Sequence, residues 1–133
     1  MIPSKYRLQV ENDNLGTTVD VEVKTKGIKR DASTLEPDHS PGWSADLGTT
    51  GLGTDSFYAT AEQDNSADGF EAVEVEVVLS NFGATPNDGG FVNVFLQGRG
   101  DGASDWPDNE NGRFVLSFDP NSTGTFRETV VIS

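Results

Sequence analysis

His39 is the one histidine of the chain, and it stands between Asp38 and Ser40 in the stretch "DHS". These are the residue types of a nucleophilic triad. A triad converges in space, however, whereas consecutive residues of an extended segment point different ways. The stretch therefore reads as an exposed loop. Cysteine is absent, which removes disulfides and thiolate sites, and a single histidine leaves zinc and copper with too few ligands. The stretch "GTTGLGT" is glycine-rich but has neither the lysine nor the following helix of a phosphate-binding loop. Acidic residues are so abundant that paired carboxylates for glycoside chemistry single out no position. The expectation is a protein that is not an enzyme.

Calcium chemistry has one better-defined candidate. "DNSADG" sets Asp64, Ser66 and Asp68 at alternate positions ahead of Gly69. Alternating oxygen ligands before a glycine turn open an EF-hand type loop. The closing glutamate is missing, because Val75 stands at the twelfth position. The competing reading is a β-turn in which Asp and Asn cap their own backbone. No other cofactor is expected.

Adhesion chemistry has a candidate in "GRGDGASDWPDNENGR", residues 98–113. Arg99, Gly100 and Asp101 follow a strong strand and sit between glycines, as an exposed loop tip would. In such a tip the Asp can bind a receptor's metal and the Arg an acidic groove. The tripeptide also arises by chance in a chain rich in Gly and Asp, and the ordinary reading is a solvated hairpin. Trp106 belongs to the same stretch, as a hairpin anchor or as a receptor contact.

Charge is the strongest compositional signal. Twenty-two acidic residues face nine basic ones, for a net charge of −13. Duplex nucleic acid would be repelled. No apolar run approaches the ~18 residues of a membrane span. The N-terminal stretch "MIPSKYRLQV" has no apolar segment of signal-peptide length. Six of the nine basic groups fall within residues 1–30. Lys24, Lys26, Lys29 and Arg30 cluster there and form a candidate docking surface; the alternative is a solvated strand end with weak ion pairs. So large an acid excess suits molar salt, where the Debye length is about 3 Å. The composition is like that of proteins from salt-loving organisms and their viruses.

The elements that must position these groups are strands. Period-two alternation recurs along the chain. "KYRLQVEN" alternates Tyr6, Leu8 and Val10 with polar residues. "TTVDVEVKTKG" sets Val19, Val21 and Val23 on one face, and "FEAVEVEVVLSN" sets Val73, Val75, Val77 and Leu79 on one face. "DSFYATAEQ" is less regular. "FVNVFLQG" is apolar on both faces, which predicts an internal strand. "RFVLSFD" and "FRETVVIS" complete the set, the last as an edge strand. Turn stretches such as "NDNLG", "TPNDGG" and "DPNSTG" divide them. The expected fold is all-β: one domain over residues 1–133, an antiparallel β-sandwich, jelly-roll or immunoglobulin-like, of about seven to eight strands. Residues 28–54 break the rhythm and read as a long loop or arm. Within them "GWSADLG" offers a short strand with Trp43, Ala45 and Leu47 on one face.

Several of these stretches, taken together, resemble small structural proteins of tailed viruses. The matching pieces are Asp101-Gly102, Trp106-Pro107-Asp108 and Gly112 before a strand. To these are added the opening "YRLQVEN", then "TVDVEVK", and Glu62-Gln63-Asp64-Asn65-Ser66. Each piece is short, and they are scattered over most of the chain. The resemblance implies a β-sandwich virion protein, foremost a capsid decoration protein that binds the major capsid protein and stabilises the shell. It implies self-association on a lattice and assembly into the virion in the host cytoplasm. On that reading the Lys24–Arg30 cluster would face an acidic shell protein. The alternatives are a tail or baseplate component, and a carbohydrate- or receptor-binding module, with or without calcium, that uses Trp43 and Trp106.

Overall fold

A computed structural model describes residues 2–30, 37–38, 43–44, 47–66, 69–99 and 112–133. The described residues hold ten strands and no helix: β1 (Lys5–Asp13), β2 (Val19–Arg30), β3 (Pro37–Asp38), β4 (Thr49–Leu52), β5 (Ser56–Ala59), β6 (Gln63–Asp64), β7 (Ala72–Ser80), β8 (Phe91–Arg99), β9 (Arg113–Phe118) and β10 (Phe126–Ile132). Leaving aside the two-residue β3 and β6, eight strands remain, as the turn spacing predicts.

The strands form two sheets in which every pairing is antiparallel. The first runs β5-β1-β8-β9, with β6 also on β1. The second runs β10-β7-β2-β3, with β4 also on β2. Connections β1–β2, β4–β5, β6–β7, β7–β8 and β9–β10 each pass from one sheet to the other. The result is an antiparallel β-sandwich. Its core lies between the inner faces, where Leu8, Val10, Val92 and Val94 meet Val21, Val23, Val75, Val77 and Leu79, all buried. Alternation makes this possible: successive side chains of a strand point to opposite faces, so every second residue reaches the core. β-branched valine fits the pleated surface well.

The internal position expected for "FVNVFLQG" holds, since β8 lies between β1 and β9. β10 pairs only with β7 among the described residues, as an edge strand. The "DSFYATAEQ" stretch divides into β5 and β6, both on one edge of β1. Thr60, between them, keeps contact with β1: its N–H donates to the Leu8 carbonyl at 2.8 Å, and its hydroxyl accepts from the Leu8 N–H at 3.0 Å.

The described residues within 28–54 hold more strand than their composition predicts. β2 continues to Arg30, and β3 and β4 both pair with it. Between these strands, Ser44 N–H donates to the Thr25 carbonyl at 2.7 Å and Leu47 N–H to the Val23 carbonyl at 2.9 Å. The short strand expected in "GWSADLG" does not form at its described residues, which these two backbone bonds attach to β2; Ala45 lies outside the described residues. Gly48 permits the approach, because a Cβ there would stand 2.0 Å from the Val21 carbonyl oxygen. Gly27 does the same for a side chain: a Cβ would stand 2.4 Å from the ring of Phe70.

Candidate functional site

The basic cluster does not act as one patch. Alternation along β2 sends Lys24 and Lys26 to the outer face of the second sheet and Lys29 to the other side. On the outer face Lys24 stands opposite Glu76 and Lys26 opposite Glu74. Lys24 Nζ lies 3.2 Å from Glu22, and Lys26 Nζ lies 5.4 Å from the centre of the Trp43 ring. Lys29 Nζ sits 5.8 Å from the Phe70 ring centre. Arg30 ends the strand, and its side chain lies outside the described residues. Carboxylates therefore match the lysines locally, and the face is mixed in sign.

The adhesion candidate is described only at its first residue, since Gly100, Asp101 and Trp106 lie outside the described residues. Arg99 closes β8. Its Nε donates to Glu62 Oε2 at 3.0 Å, and its Nη2 bonds to the same oxygen. Lys5 Nζ, at 3.7 Å, shares the same carboxylate.

The calcium candidate is a self-capped turn in its described part. Ser66 N–H donates to Asp64 Oδ1 at 2.8 Å, and the Ser66 hydroxyl donates to the same oxygen. These bonds, the hydroxyl's first, hold the Asp64 carboxyl below its ordinary pKa, with Lys5 and Arg99 adding to the effect. Buried Asn65 closes the turn: Phe70 N–H donates to its Oδ1 at 2.7 Å, and its Nδ2 donates to the Phe70 carbonyl at 3.1 Å. Asp68 lies outside the described residues. Among the described residues no three His, Cys, Asp or Glu side chains are grouped to hold a metal. His39 also lies outside them.

The outer face of the first sheet carries a hydrogen-bonded row. Asn93 Nδ2 donates to Glu11 Oε1 at 3.0 Å, and Ser117 Oγ donates to Asn93 Oδ1 at 2.8 Å, so the row crosses β1, β8 and β9. A second row joins Arg7 Nε to Gln97 Oε1 at 2.7 Å and Gln97 Nε2 to Gln9 Oε1 at 3.4 Å. Desolvation lowers the Arg7 pKa from its ordinary value.

Phenylalanines frame the first row. Phe57 on β5 lies across β1 from Asn93, in register with Glu11, and Phe91 and Phe95 flank Asn93 along β8. A register shift after Val94 sets Phe95 opposite Phe114 of β9. Their rings meet edge to face, 6.2 Å apart. Phe114 is 58% exposed, more than any other large apolar side chain described, and Val131 of β10 follows at 55%. The strands that carry them, β9 and β10, are neighbouring edges of the two sheets, but Phe114 stands with Phe95 on the outer face of the first sheet and Val131 stands opposite Glu74 on the outer face of the second. Arg113 Nη1 ties the two strands together by donating to the Ser133 carbonyl at 3.1 Å.

Sequence reasoning reached β10 as an edge strand but passed over the exposed Phe114 and its partner Phe95. Their signal was the second apolar face of "FVNVFLQG", which predicts an internal strand and equally a sticky outer surface.

The fold and surface define an antiparallel β-sandwich with an apolar edge on a strongly acidic chain. The chain matches no protein-family model, and no curated protein or solved structure is similar enough to match. No helix among the described residues is long and apolar enough to cross a membrane.

Proposed function

We propose that this chain is a virion structural protein, foremost a capsid decoration protein that binds the shell of a tailed virus through its β9 edge. The observation that carries the reading is Phe114, 58% exposed on the open edge strand β9 and packed edge to face on Phe95 at the outer face of the first sheet. An edge strand offers unpaired N–H and C=O groups, and a neighbouring apolar surface adds burial energy to that pairing. On a chain of net charge −13 such a surface stands out from its surroundings. The resemblance of the stretches quoted above to virion proteins supplies the class of partner.

The docking surface of this reading differs from the lysine cluster. Lys24 and Lys26 face carboxylates of their own sheet, whereas Phe114 needs a partner to leave water. Burying a side chain of this kind contributes roughly 1.5–3 kcal/mol. The acidic remainder keeps the particle surface negative and hydrated in a salt-rich host.

Immunogold electron microscopy of virus particles from the source culture tests the reading. Label over the heads is the expected result, and label confined to tails would transfer the protein to the tail or baseplate. Particles that never carry the chain would overturn both assignments. In parallel, Phe114→Asp should abolish recovery of the chain with sedimented particles while leaving its circular dichroism unchanged.

A further inference from the structure

A groove on the outer face of the second sheet lies one strand in from β10. β2 and β7 form its floor, and the chain around Trp43 and Thr49 borders it. One end is a cavity of about 280 Å³ lined by Lys24, Trp43, Ser44 and Glu76. The other, of about 380 Å³, is lined in part by Asp20, Glu22, Thr50 and Ser80. Lys24 and Glu22, paired at 3.2 Å, stand where the two ends meet.

The groove's polar groups are held in place before any ligand arrives. Asp20 accepts from Gly51 N–H at 2.8 Å and from Asn81 Nδ2 at 2.9 Å, one bond on each oxygen. Glu76 Oε1 accepts from Arg127 Nη1 at 2.8 Å. A carboxylate oxygen has more than one acceptor position, so each retains capacity toward a ligand hydroxyl. Ser44 is held by the Thr25 N–H, which donates to its Oγ at 3.1 Å. Trp43 is 42% exposed at the cavity wall, with Lys26 stacked against its ring. A large ring shown to water beside oriented polar groups is the usual composition of a small-molecule site: one apolar contact and a few placed donors and acceptors.

Charge narrows the ligand. Asp20 and Glu22 stand at one end, and Lys24 and Lys26 follow them along β2 with Glu76 opposite Lys24, so an anion or a cation that spans the groove would meet a like charge. An uncharged molecule with an apolar face and vicinal hydroxyls meets none. We propose that this groove binds a neutral oligosaccharide, one pyranose face lying on Trp43 and the adjoining hydroxyls bonding to Glu76, Lys24 and Ser44, with the chain continuing toward Asp20. The groove is open, so the affinity is modest, on the order of 1 mM for a short oligosaccharide.

Amide-resolved NMR titration of the whole chain in high salt tests this. The probes are neutral tetrasaccharides of glucose (both α- and β-1,4), mannose, galactose and N-acetylglucosamine. At least one should give saturable shifts at Ser44, Thr49, Thr50 and Ser80. Trp43→Ala should weaken that binding about tenfold or more with unchanged circular dichroism. Shifts by no sugar of the panel, shifts that map to the β9 edge, or equal binding by Trp43→Ala would each overturn the proposal. So would saturation of the groove by a peptide or a polyuronate in place of the neutral sugars. Because mapping on the unmodified chain is decisive alone, a poorly folded variant does not blunt the test. Particle binding by Trp43→Ala is expected to remain, which separates this proposal from the docking edge.

Discussion

Arg99 of β8 forks onto Glu62, its Nε 3.0 Å from Oε2 and its Nη2 on the same oxygen. The guanidinium of the Arg-Gly-Asp tripeptide is therefore held along the sheet by its own chain, with 17% of the side chain exposed. A receptor would have to break this pair before using the arginine. Cells that spread through tripeptide-binding integrins should not adhere to the immobilised chain, and inhibitable adhesion would contradict the assignment. Glu62→Ala should cost under about 1 kcal/mol in urea unfolding, because the pair is partly exposed.

Asp64 gives a pH prediction with a definite sign. Its folded pKa is depressed, first by the Ser66 hydroxyl and then by the Ser66 N–H. A depressed carboxylate stabilises the fold above its unfolded pKa of about 4, and that contribution is lost as pH falls through the lower folded value. Ser66→Ala should raise the Asp64 pKa toward the ordinary value in a carboxyl-carbon NMR titration. An unmoved titration would show that the hydroxyl is not the cause.

Buried Asn12 is the polar residue with most to lose. Its Nδ2 donates to the Thr17 and Leu52 carbonyls, both at 2.9 Å, and its Oδ1 accepts from the Leu15 N–H at 3.3 Å. It thus joins the β1–β2 turn to β4 in the opposite sheet. Asn12→Ala strands three backbone groups and should cost about 3 kcal/mol, read from the urea midpoint. A loss below about 1 kcal/mol would mean that water replaces the side chain.

Salt should set the stability of the whole sandwich. Asp20 and Glu22 on β2 and Glu74 and Glu76 on β7 share one outer face, within a chain of net charge −13. At ~10 mM salt the Debye length is about 30 Å and the excess carboxylates of the chain repel one another, although Lys24 and Lys26 offset Glu76 and Glu74 across this face; at 1 M it is about 3 Å. Circular dichroism should show unfolding as KCl is diluted. An intact spectrum in dilute buffer would remove the case for a salt-loving host.

Much of the fold is legible in local pattern. Val19, Val21 and Val23, or Val73, Val75 and Val77, announce strands and their inner faces, because a pleated strand turns every second side chain the same way. The same rule separates Lys29 from Lys24 and Lys26. The short strands β3 and β4 escape it: two to four residues are too few to display a period, and Gly51 interrupts one of them. "GTTGLGT" looks like a flexible turn until β2 is beside it.

By itself the sequence determined the all-β class, the inward residues of each long strand and the overall acidity, since each follows from neighbours along the chain. Only the tertiary structure decided that Arg99 meets Glu62, that β9 lies against β10, and that Trp43, Lys24 and Glu76 border one cavity. Those relations join residues tens of positions apart. They depend on which edges and faces come together when two sheets close over a common core, and no local period carries that information.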